Sequence, residues 1–178
     1  MQIETKKRYI TYLKAFAAAF ALVLLDQFTK LLAVEHLKGK DPLVILHHVF
    51  ELHYLENRGA AFGIFQGFQG FFILSAVLIT AAVIWLFLRT PLEEHFLPLR
   101  ICGILIVAGA WGNCIDRVIQ GYVVDFFYFV LIDFPIFNVA DIYVTVAAFA
   151  LILLLFFYYK EEDLERILHR RKPGRRTD

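Results

Sequence analysis

The chain has 178 residues, of which 60% are hydrophobic, 16% are aromatic and only 20% are charged, and its mean hydropathy is +0.63. A water-soluble domain of this length rarely has such a composition, so we expect an integral membrane protein. The formal net charge of +1 lacks the basic excess that is typical of proteins that bind nucleic acid, so we expect no nucleic-acid partner.

Four apolar runs are long enough to cross a bilayer, for which a helix needs roughly 20 residues. They cover approximately residues 9–34, 68–88, 99–119 and 137–159. The first run has the basic start of a secretory signal peptide, but its apolar residues continue past Asp26, so we expect it to be retained. The sequence therefore predicts an all-α membrane protein, one domain over residues 1–178 with four transmembrane helices.

Basic residues flank these runs unevenly and predict their orientation, because Lys and Arg are retained on the cytoplasmic side. Lys6, Lys7 and Arg8 precede the first run, and Arg89 and Arg100 flank the connection between the second and third runs. Further basic residues are concentrated in the tail, residues 160–178. Both termini are therefore predicted to be cytoplasmic, with the tail solvated or touching lipid headgroups. Residues 35–67 and 120–136 then lie outside.

The longer outer loop, residues 35–67, is predicted to hold β-structure. Its segment PLVILHHVFELHYLEN mixes β-branched and aromatic residues in rough alternation, which predicts one or two short strands. The next segment, RGAAFGIFQGFQG, is rich in glycine and aromatic residues and predicts a short amphipathic piece at the interface. The fold class is thus all-α with a small extracytoplasmic region that contains β-strands.

The segments GNCID and FNVAD repeat one polar pattern beside the apolar runs. Each places an Asn three residues before an Asp, as Asn113 with Asp116 and Asn138 with Asp141. On a helix this spacing puts the amide and the carboxylate on one face. An ionisable residue at bilayer depth costs about 2.5 to 3.5 kcal/mol, so such residues are usually paired or functional. The predicted topology brings both pairs to the outer edge of the bilayer.

Two carboxyl groups that face each other share a proton, and this arrangement is the chemistry of aspartic proteases. The ionised member takes a proton from water while the protonated member donates to the scissile carbonyl. Asp116 and Asp141 are candidates for such a pair, with the two asparagines orienting them. Spacing alone leaves a second interpretation open, in which Asp116 pairs with Arg117 at the interface and the asparagines join the helices.

Other polar residues have simpler interpretations. Asp26 and Lys30, four residues apart, predict an ion pair within one helix. Asp125 and Asp133 are interpreted as solvated loop acids, with Asp125 near enough to the site to support it. The only serine, Ser75, has no Lys or His beside it, and the histidines lack zinc-ligand spacing, so we expect no metal site. An ion transporter remains the alternative outside enzymes, although its acids would follow a path through the membrane.

Four segments together resemble the ordered signature blocks of the bacterial lipoprotein signal peptidases, also called signal peptidase II. They are DQFTK at 26–30, ENRGAAFGIF at 56–65, AGAWGNCIDRVIQGYVVDFF at 108–127 and FNVAD at 137–141. The resemblance implies a membrane aspartyl endopeptidase, without cofactor, that removes the signal peptide of diacylglyceryl-modified prolipoproteins just before the lipidated cysteine. It implies a multi-pass protein of the bacterial plasma (inner) membrane with its active site at the outer face.

The resemblance also assigns residues and partners. It matches Asp116 and Asp141 to the catalytic pair and gives supporting roles to Asp26, Lys30 and Asp125. Six further residues match positions that line or order the substrate site: Asn57, Arg58, Asn113, Arg117, Asn138 and Ala140. The implied partners are diacylglyceryl prolipoproteins, membrane lipid and globomycin-type inhibitors, and we expect a monomer. After Asp141 the family often carries small residues and a glycine, whereas this chain has Ile142, Tyr143 and Ala147, which is expected to alter inhibitor fit.

Overall fold

The structure, a computed structural model, describes residues 2–59 and 68–168. Most of the amphipathic piece predicted near residues 58–70 and the end of the basic tail, residues 169–178, lie outside the described residues. The described part holds four helices that are long and apolar enough to cross a membrane. This number agrees with the four spans that the apolar runs predict.

The described chain contains five α-helices and three strands. Helix α1 (Gln2–Leu37) is followed by strands β1 (Leu43–Leu46) and β2 (Phe50–Asn57). Helices α2 (Gln69–Arg89) and α3 (Leu97–Gln120) come next, then strand β3 (Val123–Tyr128). Helix α4 (Val139–Leu153) continues into a π-helical turn (Leu154–Tyr158), and the short helix α5 (Glu161–Leu168) ends the described chain.

Helix α3 is the centre of the bundle, because it packs against α1, α2 and α4. Glycines on α3 permit this close approach. A Cβ atom at Gly109 would lie 2.5 Å from the backbone oxygen of Ala140 on α4, and one at Gly112 would lie 2.6 Å from Asp26 Oδ2 on α1. Gly121 then ends α3 in the left-handed conformation (φ 79°), which is common where a helix stops.

The three strands form one antiparallel sheet in the order β1-β2-β3 at one end of the bundle, which we call the sheet end. Buried Val124 and Phe126 of β3 pack with Ala33 and Leu37 of α1, which fixes the sheet to the helices. The predicted loop strands correspond to β1 and β2, whereas β3, in the shorter connection, has no counterpart in the sequence prediction.

At the opposite end of the bundle, the start of the tail, which the sequence predicted to be solvated or to touch lipid headgroups, forms helix α5. Ile167 is 3% exposed and packs with Phe96, Leu99 and Tyr159. The Asp163 carboxylate accepts a hydrogen bond from the backbone N–H of Lys160 (3.1 Å), which caps the new helix. The start of the tail therefore folds back on the bundle because its apolar residues fall on one helical face.

Candidate active site

A buried ionic cluster joins α1 to α3 at the sheet end. Lys30 Nζ lies 2.9 Å from Asp26 Oδ2 and 3.1 Å from Asp116 Oδ2. All three residues are buried, with exposures of 0% for Asp26, 3% for Lys30 and 4% for Asp116. The predicted Asp26–Lys30 ion pair within α1 is confirmed, and Asp116 of α3 shares the same lysine.

Neutral donors complete this ionic cluster. The Gln27 amide donates to Asp116 Oδ1 (2.9 Å) and to Asp26 Oδ2 (3.2 Å). The backbone N–H of Ala140 donates to Asp26 Oδ1 (2.9 Å), and that of Val124 donates to Asp116 Oδ2 (3.1 Å). One lysine and several N–H donors thus stabilise two buried carboxylates, and the cluster connects α1, α3, α4 and β3.

Asp125 and Asp141 form a second group, and Asn138 contacts both. The Asn138 amide donates to Asp125 Oδ1 (2.6 Å), while its backbone N–H donates to Asp141 Oδ2 (3.1 Å). Asn57 donates to Asp125 Oδ2 (2.9 Å), and Asn113 donates to Asp141 Oδ1 (2.8 Å). Each carboxyl therefore accepts two hydrogen bonds, and a single asparagine fixes their relative position. We call Asp125 and Asp141 the acid pair.

Different local structures position the two carboxyl groups of the acid pair. Asn138 is the N-cap of α4, and its side-chain oxygen accepts from the backbone N–H of Asp141 (3.1 Å), so the two residues form a reciprocal capping box. Asp125 lies in the middle of β3, where Val123, Val124 and Phe126 are also buried. Pairing of Asn57 with Val123 in the sheet brings Asn57 close to Asp125.

The environment of Asp125 favours the protonated form. Burial, with Asp125 only 1% exposed, and then repulsion from the Asp141 carboxylate raise the pKa of Asp125 to about 7. The hydrogen bonds from Asn57 and Asn138 act in the opposite direction and do not cancel this shift. The neighbouring Asp141 carboxylate therefore disfavours the state in which both acids are ionised.

This geometry differs from the expected pairing of Asp116 with Asp141. Both Asp116 oxygens accept hydrogen bonds, and Oδ2 also lies 3.1 Å from Lys30 Nζ, so the partners of Asp116 belong to the ionic cluster and Asp141 is not among them. Among the described residues no ion pair joins Asp116 to Arg117, which donates to the backbone oxygens of Asn113 (3.2 Å) and Gly59 (2.9 Å). The interpretation of Asp125 as a solvated loop acid is wrong, because Asp125 is only 1% exposed.

Asn113 connects the ionic cluster to the acid pair. Its side-chain oxygen accepts from Lys30 Nζ (2.9 Å) and from the Asn138 amide (3.1 Å), while its own amide donates to Asp141. Asn113 has only one side-chain oxygen, and both of these donors need it, so its orientation is determined. Lys30 therefore fixes the direction in which Asn113 holds Asp141.

The remaining predicted site residues occupy different places. Arg117 lies with its guanidinium 4.1 Å from the centre of the Phe72 ring, and Arg58 is exposed, with its guanidinium 5.7 Å from the Tyr122 ring. Ala140 is 0% exposed and packs against α3, where a Cβ atom at Gly109 would lie 2.5 Å from its backbone oxygen. Within residues 2–59 and 68–168, no group of three or more His, Cys, Asp or Glu could hold a metal ion.

Comparison with known proteins identifies the family. Residues 18–157 match the family model of signal peptidase (SPase) II. The chain is 43% identical over 136 residues to the lipoprotein signal peptidase of Streptococcus thermophilus (strain CNRZ 1066), which covers 76% of this chain and 88% of that protein. It is 42% identical over 145 residues to the lipoprotein signal peptidase of Clostridium tetani, which covers 79% of this chain and 91% of the relative.

A solved structure supports the same assignment. It is described as a bacterial membrane enzyme studied by the in meso method, and it matches with a TM-score of 0.71 at 29% identity. The match covers 92% of this chain and 94% of the other, so the likeness extends over most of both chains. With the acid pair at the sheet end and the family model over most of its length, the chain belongs to the signal peptidase II family and is a membrane protease.

Proposed function

We propose that this protease cleaves signal peptides from prolipoproteins by aspartyl chemistry, with Asp125 and Asp141 as the catalytic pair. The observation that carries the proposal is the shared Asn138, which donates to both carboxyl groups and holds them together. The relatives named lipoprotein signal peptidase support the substrate class. Asp116, matched to this role by sequence, becomes a positioning residue because Lys30 engages it.

The two acids take different roles in the reaction. Asp125 is buried and holds the shared proton, while Asp141 is partly exposed and lies in the first turn of α4, where the helix dipole favours a carboxylate. Asp141 accepts a proton from water as the water oxygen attacks the scissile carbonyl carbon. Asp125 donates its proton to the carbonyl oxygen, which gives a tetrahedral diol. The C–N bond then breaks as the amine takes up a proton from Asp141, and Asp125 recovers its own.

The position of the acid pair suits a substrate anchored in lipid. Asp141 is the third residue of α4, at the point where this apolar helix begins. A diacylglyceryl chain remains in the bilayer, so the peptide bond before the modified cysteine lies at the same rim. We propose that the enzyme cleaves that bond. The sheet end then lies at the outer face of the bacterial plasma (inner) membrane, and both termini lie in the cytoplasm. We expect a monomer that a globomycin-type inhibitor blocks by occupying this rim.

The test is cleavage of a purified diacylglyceryl prolipoprotein by the full chain in detergent or nanodiscs, with and without globomycin. Asp125→Asn and Asp141→Asn should each abolish release of the signal peptide while the protein still inserts. Asp133→Asn is the matched control, because Asp133 is an exposed acid in the same connection and Asn tolerates its left-handed backbone (φ 48°). Full activity of either pair variant would refute the assignment.

A further inference from the structure

The sheet has a second end, away from the acid pair, where large apolar side chains are exposed beside His47, His48 and Asp133. Asn57 pairs with Val123 near Asp125, whereas Leu46 pairs with Phe50 at the opposite end. Six large apolar side chains are exposed there, with exposures between 36% and 69%. We call them the apolar tip: Ile45, Leu46, Val49, Leu131, Ile132 and Phe134. Large apolar side chains exposed together on an extramembrane element mark a contact surface.

Aromatic contacts connect the apolar tip to the start of α4. The Phe50 and Phe129 rings lie 5.0 Å apart, which joins the β1–β2 hairpin to the segment after β3. Phe129 and Phe134 each lie 5.8 Å from the ring of Phe137. Phe137 directly precedes Asn138, the N-cap of a helix apolar enough to span the membrane. The apolar tip is therefore continuous with the point where α4 enters the bilayer.

The backbone of the apolar tip is folded in a way that lipid tolerates. Turns satisfy two of its N–H groups, since Val49 donates to the Leu46 oxygen (3.0 Å) and Phe134 donates to the Phe129 oxygen (3.2 Å). The Asp133 carboxylate accepts from the Tyr128 hydroxyl at 2.6 Å. Unsatisfied backbone groups are what exclude irregular chain from lipid, and these turns reduce that penalty at the interface.

We propose that the apolar tip inserts into the leaflet on the sheet side and anchors the sheet to the bilayer. All four residues of β1 are apolar and exposed, although successive side chains point to opposite faces of a strand. A protein packed on the sheet covers one face, whereas lipid covers both. Continuity with α4 and this two-sided exposure favour lipid over a second copy of the chain.

Anchoring has a consequence for the acid pair. Strand β3 carries Asp125 in its middle. Val124, near its start, packs against α1, and its other end leads directly into Phe129 and the apolar tip. A strand held at both ends keeps a fixed angle to α4, which carries Asp141. Lipid contact at the apolar tip thus positions Asp125 against Asp141 without touching the substrate.

The test is the depth of a spin label in the full chain, reconstituted in phosphatidylcholine vesicles without substrate. A nitroxide on Ile132→Cys should lie about 5 to 10 Å below the phosphate level, the depth at which interfacial elements bury apolar side chains. Its collisions with oxygen should then exceed those with a water-soluble nickel chelate. The native Cys102 and Cys114 are 3% and 2% exposed, so labelling is selective for the introduced cysteine.

Asp41→Cys provides the control, because Asp41 is an exposed polar residue just before β1 and should report water. A second label on Leu131→Cys repeats the measurement in case one label perturbs the turn. Equal nickel access at Ile132 and Asp41 would overturn the proposal, and so would a dipolar coupling between labels of two chains, which would assign the surface to self-association. Because this readout needs no cleavage, an inserted tip in an inactive protein would refute the peptidase assignment alone.

Discussion

Removing the buried lysine should destabilise the fold more than any other single charge change in α1. In Lys30→Met, Asp26 and Asp116 lose their only cationic partner among the described residues, at 2.9 Å and 3.1 Å from its ammonium. Both carboxylates are at most 4% exposed, so water does not replace the lysine. Breaking one partner of a buried ion pair costs about 3 to 5 kcal/mol.

The loss should fall near the lower end of that range, because Gln27 and two backbone N–H groups still donate to the carboxylates. At roughly 2 to 4 °C per kcal/mol for a chain of this size, the midpoint should fall by about 6 to 12 °C. Thermal unfolding in detergent, followed by circular dichroism, measures this shift. Asn113 also loses the donor that orients it, so prolipoprotein cleavage should slow even below the melting range.

Lys14→Met is the matched control, since Lys14 is exposed on the same helix. Its free energy of unfolding should change by less than about 0.5 kcal/mol. Adding Asp26→Asn and Asp116→Asn to Lys30→Met should recover much of the stability, because no buried charge is then left unpaired. The reasoning fails if Lys30→Met and Lys14→Met melt together, or if the triple variant is less stable than Lys30→Met.

Three further outcomes follow from the site. Since the Asp125 pKa is raised from 3.8 to about 7, its contribution to stability is full below pH 3.8 and is lost as pH rises through 7. The thermal unfolding midpoint of the wild type should therefore fall relative to that of Asp125→Asn as pH rises over this window, and the rate of cleavage should decline above pH 7. Gly112→Ala should cost about 1 to 3 kcal/mol, because the new Cβ lies 2.6 Å from Asp26 Oδ2, whereas Gly70→Ala, with nothing within 4 Å, should not destabilise. Asn138→Ala should lower kcat more than it changes KM and should cost about 0.5 to 2 kcal/mol through the lost cap, as steady-state kinetics and melting will show.

Much of the architecture could be predicted from the sequence because the membrane imposes a simple rule. A run of about 20 apolar residues must be helical, since every backbone group has to be satisfied within the segment. The four spans follow from that rule alone. The strands β1 and β2 were visible in their alternation, but β3 lies in a short connection between two helices, where its apolar residues continue the pattern of the neighbouring spans.

The acid pair was harder to predict because one pattern has two structural meanings. In FNVAD, Asn138 and Asp141 form a capping box that begins α4, whereas in GNCID, Asn113 and Asp116 lie inside α3. Identical spacing suggested identical roles. The packing of the neighbouring elements determines whether an acid contacts a lysine or a second acid. The spacing of residues within one segment does not predict that packing.

The role of Asp125 depended on a contact across 68 positions, from Asn57 on β2 to β3. Without that strand pairing, an acid in a short outer connection is most simply explained as solvated. One local signal is present, because VVDFF is apolar on both faces of a strand except at its central acid. A buried strand tolerates such an acid only when partners are supplied from elsewhere.

Infrared spectroscopy of the carboxylic C=O stretch tests the central claim most directly, because it detects the proton that the acid pair shares. At one pH unit below the Asp125 pKa of about 7, wild type should show a protonated carboxyl band that persists in Asp116→Asn and is absent in Asp125→Asn. A band that survives in Asp125→Asn and disappears in Asp116→Asn would contradict the account, since Asp116 would then hold the proton beside Lys30.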